Sequence, residues 1–124
     1  MGKAIIYGFF LIHGLNVLAM FFGLYVTFPW YDTVLHIGGG AWVALLCVWL
    51  YKNEKNPILI LGFVALIGVL WEFSEYLFLN DVMAWMFNEK SMPQTISDTL
   101  TDLFADLIGG SVFLLLSRIK SQNK

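Results

Sequence analysis

Seven acidic or imidazole side chains fall at helical spacing within stretches that are otherwise apolar. They form the motifs D-x-x-x-H, E-x-x-E and D-x-x-x-D-x-x-x-D, with the residues Asp32, His36, Glu72, Glu75, Asp98, Asp102 and Asp106. Spacings of three and four residues place the members of each motif on one face of a helix. Ionisable side chains inside a membrane are costly and face one another or a wet cavity, so the motifs indicate a functional site.

The chemistry that these side chains share is the binding of a divalent cation. No lysine or arginine in the apolar stretches neutralises the acids, so carboxylates brought together must share protons or bind a cation. Oxygen ligands with one imidazole and no sulfur favour Mg, Mn, Ca, Zn or Fe over copper(I). The predicted metal ligands are, first, Glu72, Glu75, Asp102 and Asp106, and then His36, Asp98 and Asp32.

Two of the aspartates also have a structural explanation. Asp32 follows a proline-containing turn and could be the N-cap of a helix. Asp98 completes T-x-x-D with Thr95, which is the pattern of a capping box, or it lies in the favourable first turn. The remaining acids lie beyond any cap, so a structural role for them requires buried hydrogen bonds or protonation.

The elements that position these residues are predicted to be transmembrane helices. Of the 124 residues, 59% are hydrophobic and only 13% are charged, whereas about a quarter are charged in an average soluble protein. Four apolar stretches, at 4–28, 33–51, 57–79 and 96–118, have about the length that crosses a bilayer. We therefore expect an all-α, polytopic membrane protein with a single domain, 1–124, in the form of a four-helix transmembrane bundle. No basic stripe indicates nucleic-acid binding.

The fourth stretch is only marginally favourable in a membrane. Its three aspartates cost as much as about 9 kcal/mol at the bilayer centre, while its 11 Leu, Ile, Phe and Val residues return about 3–7 kcal/mol. On a helical wheel, one face carries the aspartates with Ala105 and Gly109, and leucines occupy the rest. This helix therefore needs partner helices, protonation, shallow placement of its acids or a bound cation.

The basic residues predict the orientation of the bundle. Six of the seven would lie on one side of a four-span protein: Lys3, Lys52, Lys55, Arg118, Lys120 and Lys124. The positive-inside rule then makes both termini cytoplasmic, with the connections at 29–32 and 80–95 outside. The middle of the 80–95 loop is apolar and too short to span, so it either covers the outer mouth of the bundle or anchors it through Trp85 and Phe87.

This topology brings the three motifs to the same depth. The third helix runs outward, so Glu72 and Glu75 lie in its outer half. The second and fourth helices run inward, so their motifs begin near the outer surface and descend by about 1.5 Å per residue. All three motifs are therefore predicted to meet a few turns below the outer surface.

Together, the motifs resemble those of the YjdF-like bacterial inner-membrane proteins. The pattern consists of Y-D-x-x-x-H-x-G-G at 31–39, W-E-x-x-E at 71–75 and D-T-x-x-D-x-x-x-D-x-x-G at 98–109. More distantly, the D-x-x-x-H motif and the final helix with its aspartates and glycine are similar to the VanZ-like family, which is linked to glycopeptide (teicoplanin) resistance. The chain lacks the arginine expected before the final VanZ-like helix. The resemblance implies a bacterial inner-membrane location and the positions of the site, but no activity.

Three functions are compatible with these observations. The first is cation binding in an outward-facing pocket that serves hydrolysis or transfer on a lipid or envelope precursor, with a metal-bound water as nucleophile. In the second, the acids relay protons or ions within a homo-oligomer; in the third, they are packing groups of a non-catalytic membrane scaffold. The inner half is apolar apart from His13 and Asn16, interpreted as an interhelical hydrogen bond, which disfavours a path through the bundle. No catalytic residue is assigned.

Overall fold

The computed structural model describes residues 1–52, 56–79 and 95–122. Within these ranges, four helices are long and apolar enough to cross a membrane: α1 (Gly2–Phe22), α2 (Trp30–Leu50), α3 (Pro57–Ser74) and α4 (Ile96–Gln122). The predicted all-α fold class with four membrane-spanning helices is confirmed. The part of the 80–95 loop for which we predicted a covering or anchoring role, including Trp85 and Phe87, lies outside the described residues.

The first predicted helix, 4–28, is divided in the structure at Gly23. Gly23 has a φ of 61°, a left-handed conformation that a residue without a β-carbon adopts readily. A single-turn helix, Leu24–Thr27, follows, and α2 begins at Trp30. The break turns the chain back so that Tyr25 lies against α1, where its hydroxyl donates to Asn16 Oδ1 at 2.5 Å.

The two ends of α3 differ, because it starts with a capped first turn and ends in a π-helical turn. At its start, Asn56 Oδ1 accepts a hydrogen bond of 3.0 Å from the backbone N–H of Ile58, and Pro57 occupies the first helical position. Pro is favoured there because its missing N–H has no partner to lose. At the other end, α3 continues into a π-helical turn, Glu75–Leu79.

The contact between α2 and α4 is the most extensive in the bundle, and their backbones touch. A β-carbon on Gly40 would overlap the backbone carbonyl of Asp106, and one on Gly109 would overlap that of Ile37. Small residues allow membrane helices to approach closely, and van der Waals packing at such a crossing stabilises the pair when there is no hydrophobic driving force between helices. These two glycines therefore determine how far apart α2 and α4 lie.

A small apolar core fills the end of the bundle remote from the acidic residues. It combines buried side chains of α2, α3 and α4, namely Val43, Ala44, Cys47, Ile60, Val64 and Leu114. On α4, Gly110 packs against the Leu61 and Val64 side chains of α3. Large apolar side chains cover the outside of all four helices and are exposed, as they must be where a protein contacts the lipid bilayer.

Helix α1 packs mainly on α2 and exposes most of its surface. Trp42 Nε1 donates to the backbone carbonyl of Ile5 at 2.8 Å, and the Tyr31 hydroxyl donates to that of Leu15 at 3.1 Å. Gly8 makes room for the Trp42 ring, since a β-carbon there would lie 2.5 Å from Trp42 Cδ1. Helix α1 is thus attached through α2, which leaves space between α1 and α3.

The glycine crossing predicts that the same substitution destabilises the protein at Gly40 but not at Gly38. Gly40→Ala should lower the free energy of unfolding by about 1–3 kcal/mol, because its β-carbon overlaps the α4 backbone. Gly38→Ala is the matched control, because nothing lies within 4 Å of a β-carbon there. The only cysteine, Cys47, is buried, so a thiol-reactive dye reports unfolding on heating. Equal midpoints of thermal unfolding for the two variants would contradict close contact between the α2 and α4 backbones at Gly40.

Candidate functional site

His36 lies where three membrane-spanning helices meet. Its Nε2 is 3.7 Å from Asp32 Oδ1 on its own helix, α2, and 3.7 Å from Glu72 Oε1 on α3. Its Nδ1 is 3.3 Å from Asp106 Oδ1 on α4. His36, Glu72 and Asp106 are all buried. The three sequence motifs therefore meet at one imidazole.

Two overlapping groups of side chains have ligand atoms close enough to hold a metal ion. Asp32, His36 and Asp102 form one group, and His36, Glu72 and Glu75 form the other. Within each group the ligand atoms lie within 4.8 Å of one another. Because His36 belongs to both, we treat these five residues as one unit, the His36 cluster.

Asp106 lies beside the His36 cluster and orients its imidazole. A neutral imidazole has one N–H donor and one nitrogen with a lone pair. With Nδ1 donating to the carboxylate of Asp106, the Nε2 lone pair points toward Asp32 and Glu72. A carboxylate that holds the far nitrogen of a histidine in this way is typical of metal sites. Since carboxylate oxygens only accept, Nε2 requires a proton or a cation in front of it.

Glu72 carries the least satisfied polar atoms of the described residues. Both of its carboxylate oxygens are buried and lack a partner with the distance and angle of a hydrogen bond, as does Oδ2 of Asp106, although the Thr99 side chain lies near enough to Glu72 to interact with it. Glu72 is only 6% exposed, so water does not replace the missing partners freely. An unsatisfied buried polar group costs about 1–3 kcal/mol, and a charged group costs more. A proton or a bound cation would satisfy these oxygens.

Glycines on both sides make room for the Asp106 carboxylate between α2 and α3. A β-carbon on Gly68 of α3 would lie 2.5 Å from Oδ2, and one on Gly39 of α2 would lie 3.8 Å from Oδ1. The side chain thus occupies a space that larger residues would fill. Gly68 is a site-forming residue that the sequence interpretation missed, because an isolated glycine in an apolar helix carries no spacing signal.

The π-helical turn at the end of α3 positions Glu75. Its backbone N–H bonds to the carbonyls of both Glu72 and Trp71, and the wider π-helical turn, Glu75–Leu79, begins at this residue, where the E-x-x-E motif ends. The Trp71 indole N–H donates to Glu75 Oε1 at 2.9 Å and holds the carboxylate. Single π turns occur frequently at functional sites because they redirect a side chain without ending the helix. Trp71 is a second residue whose role in the site only the structure reveals.

Of the two aspartates with a capping explanation, Asp98 lies in a capping arrangement and Asp32 does not. Helix α2 begins at Trp30 after Pro29, so Asp32 is the third residue of the helix and not its N-cap; it contacts His36 instead. At α4, Thr95 Oγ1 accepts a hydrogen bond of 3.2 Å from the backbone N–H of Asp98, as in a capping box. Asp98 is exposed and belongs to neither group of ligand atoms.

The polar residues of α1 face the His36 cluster from the other side. His13 donates to the Phe9 carbonyl of its own helix at 2.9 Å rather than to another helix, and its ring meets Trp71 edge-on at 5.9 Å. Asn16 accepts from Tyr25. Burial, reinforced by the negative charges of Asp32 and Glu75, raises the pKa of the Tyr25 phenol. Its hydroxyl therefore remains a hydrogen-bond donor at neutral pH.

The chain belongs to the family described as "Predicted membrane protein (DUF2238)", whose model matches residues 3–123. No curated protein and no solved structure matches the chain. Family membership therefore establishes a membrane protein, in agreement with the four apolar helices. Its description names no activity.

The unpaired oxygens of Glu72 predict that the cluster destabilises the metal-free protein. In the presence of a chelator, Glu72→Met should raise the free energy of unfolding by about 1–3 kcal/mol, because an apolar side chain of similar size removes two unsatisfied acceptors. Labelling of Cys47 by the thiol-reactive dye on heating gives the midpoint of unfolding. The control is Asp98→Asn, which changes an exposed acid. A lower midpoint for Glu72→Met would mean that this carboxylate stabilises the bundle.

Proposed function

We propose that this member of the DUF2238 family binds a divalent cation within the membrane, at the His36 cluster. The observation that carries the proposal is the buried carboxylate of Glu72, whose oxygens lack a partner with hydrogen-bond geometry and one of which lies 3.7 Å from His36 Nε2. Buried charges in proteins are paired or coordinate metals. Among the described residues, the basic side chain within 4.0 Å of Glu72 is His36, and one imidazolium cannot balance the four carboxylates of the cluster.

The distances in the cluster suit one ion on the Nε2 side of His36. Two ligands each about 2.1 Å from an ion can be no more than about 4.2 Å apart. The separations of 3.7 Å from Nε2 to Asp32 Oδ1 and to Glu72 Oε1 fall within this limit. Ligand atoms as much as 4.8 Å apart must approach slightly when the ion binds. In this arrangement Glu75 and Asp102 complete the ligand set, Asp106 orients His36, and Asp98 is not required.

The donor set narrows the choice of ion and of chemistry. Four carboxylates with one imidazole favour Zn, Mn, Mg, Ca or Fe, and the absence of sulfur disfavours copper(I). When bound, such an ion supplies positive charge for polarising a phosphoryl or carbonyl oxygen and for activating water. We propose that the site serves hydrolysis or group transfer on a lipid or envelope precursor.

The core of the bundle argues against the alternative of an ion relay. Among the described residues, the buried core beyond the His36 cluster consists of the apolar side chains Val43, Ala44, Cys47, Ile60, Val64 and Leu114. A path across the membrane requires polar groups or water at these positions. The acids are therefore better explained as a site that opens toward one membrane surface.

We further propose that this surface is the outer one of a bacterial inner membrane. The positions of the basic residues, six of seven on one side of a four-span bundle, support cytoplasmic termini. The resemblance of the motifs to those of YjdF-like proteins, and more distantly of VanZ-like proteins, supports the same location.

Metal analysis tests the proposed function directly. Protein purified without chelators should contain, or take up on titration, one divalent ion per chain, measured by elemental mass spectrometry. Glu72→Gln and Asp102→Asn should abolish stoichiometric binding, because each removes a charged ligand. Asp106→Asn should weaken binding by about 10–100-fold, as expected for a group that orients a ligand.

The matched control for this experiment lies on the same helix. Asp98→Asn makes the same chemical change one turn before Asp102, but Asp98 is exposed and outside the cluster. Binding in this variant should equal that of the unmodified protein. Absence of any bound divalent ion from the unmodified protein, both as purified and on titration, would refute the proposal and favour a scaffold whose acids are protonated.

Reporter fusions test the orientation. Alkaline phosphatase, which is active only outside the cytoplasm, should be inactive when fused after residue 124 and active when fused within the 80–95 connection. Green fluorescent protein at the same positions should give the opposite pattern. Activity of the phosphatase at the C-terminus would place the His36 cluster on the cytoplasmic side.

A further inference from the structure

A cavity of about 210 Å³ extends from the His36 cluster into the bundle between α1, α2 and α3. Asp32, His36 and Glu75 line one end of it. Val43 and Val64 line the other end. Val43 lies 7 residues after His36 on α2, and Val64 lies 11 residues before Glu75 on α3. At about 1.5 Å per residue, the cavity reaches roughly 10–16 Å from its polar end to its apolar end.

The size and lining of the cavity suit one hydrocarbon chain. A dry cavity of about 150 Å³ lined by apolar side chains binds benzene, whereas drug-sized ligands occupy about 300–1,000 Å³. A volume of 210 Å³ therefore accommodates a segment of a single chain rather than two chains side by side. The loose contact of α1 with the rest of the bundle leaves this space. Apolar side chains, including Ile12 and Ile67, form most of the lining.

At the polar end, the partners for a phosphate are one neutral hydrogen-bond donor, Asn16, and the proposed cation. Asn16 lines the cavity on α1, and because the Tyr25 hydroxyl donates to its Oδ1, its amide nitrogen remains a donor. A divalent ion in the His36 cluster would face it from α2 and α3. Mg²⁺-type ions are commonly bound by carboxylates together with substrate phosphates. A phosphate has enough terminal oxygens to contact the ion and the Asn16 amide at once.

We propose that the cavity binds the hydrocarbon chain of a single-chain lipid phosphate, whose phosphate lies at the cation held by the His36 cluster. The proposal rests on the proposed cation site and adds the substrate class on which that site acts. The chain lies between α1 and α3, and the phosphate contacts the ion and Asn16. Diacyl lipids do not fit, because only one chain can enter.

Photo-crosslinking in lipid nanodiscs tests this placement. The probe is dodecyl phosphate with a diazirine near the end of its chain, used with Mn²⁺ or with a chelator, and peptides are mapped by mass spectrometry. Labelling should fall on the α2 and α3 segments around Val43 and Val64 and should decrease roughly tenfold without Mn²⁺. Unlabelled dodecyl phosphate should compete, whereas dodecanol, inorganic phosphate and a diacyl phosphatidate should compete at least about tenfold less well.

Two isoleucines of α1 provide a matched pair of variants. Ile12→Trp fills the cavity and should reduce specific labelling roughly tenfold. Ile6→Trp adds the same ring to a side chain that is 56% exposed on the lipid-facing surface, and labelling should be unchanged. Mn²⁺ binding should be retained in both variants, since neither residue belongs to the His36 cluster.

Asn16→Ala provides a second variant that leaves the volume of the cavity open. It should weaken competition by dodecyl phosphate but not the slight competition by dodecanol, because only the phosphate contacts the amide. Labelling confined to lipid-facing residues and unaffected by Ile12→Trp would overturn the lipid site while Mn²⁺ binding remained intact. Labelling of the cavity that does not depend on Mn²⁺ would overturn the placement of the phosphate. Absence of Mn²⁺ binding by the unmodified protein would refute the cation site.

Discussion

The close crossing of α2 and α4 is the constraint on which the rest of the structure depends. Gly40 and Gly109 bring the two backbones into contact, and this contact places Asp106 beside His36 at 3.3 Å. A helix pair with ordinary side chains at the crossing would separate the imidazole from the carboxylate that orients it. Gly39 and Gly68 extend the same principle, because they leave the volume that the Asp106 carboxylate occupies.

The His36 cluster concentrates negative charge that the bundle itself does not balance. Four carboxylates surround a single imidazole, and the basic side chains lie outside the apolar parts of the helices. Burial makes such groups destabilising unless they are protonated or bind a cation. The apolar core around Val64 lies at the other end of the bundle and stabilises the helices independently of the cluster. This separation is typical of functional sites, where local stability is sacrificed.

The division of roles among the helices follows from how tightly each is packed. Helices α2, α3 and α4 share the apolar core and hold the ligand atoms within a few ångströms of one another. Helix α1 is held to α2 mainly by two side chain–backbone hydrogen bonds from Trp42 and Tyr31. Its loose attachment opens the cavity that reaches the His36 cluster. The rigid part of the bundle thus holds the polar groups, and the loosely packed helix forms the wall of the space beside them.

The sequence alone determined the class of protein and the residues that could meet, because hydropathy and helical spacing are local properties. Four apolar stretches predicted four spanning helices, and alternating helix directions predicted that the three motifs lie at one depth. The tertiary structure decided which atoms face each other: it separated Asp98 from the other acids, directed Asp106 to Nδ1 and brought Gly68, Trp71 and Tyr25 to the site. These assignments depend on the distance and rotation between helices, which are set by steric contact at the glycine crossing. No pattern within a single helix contains that information.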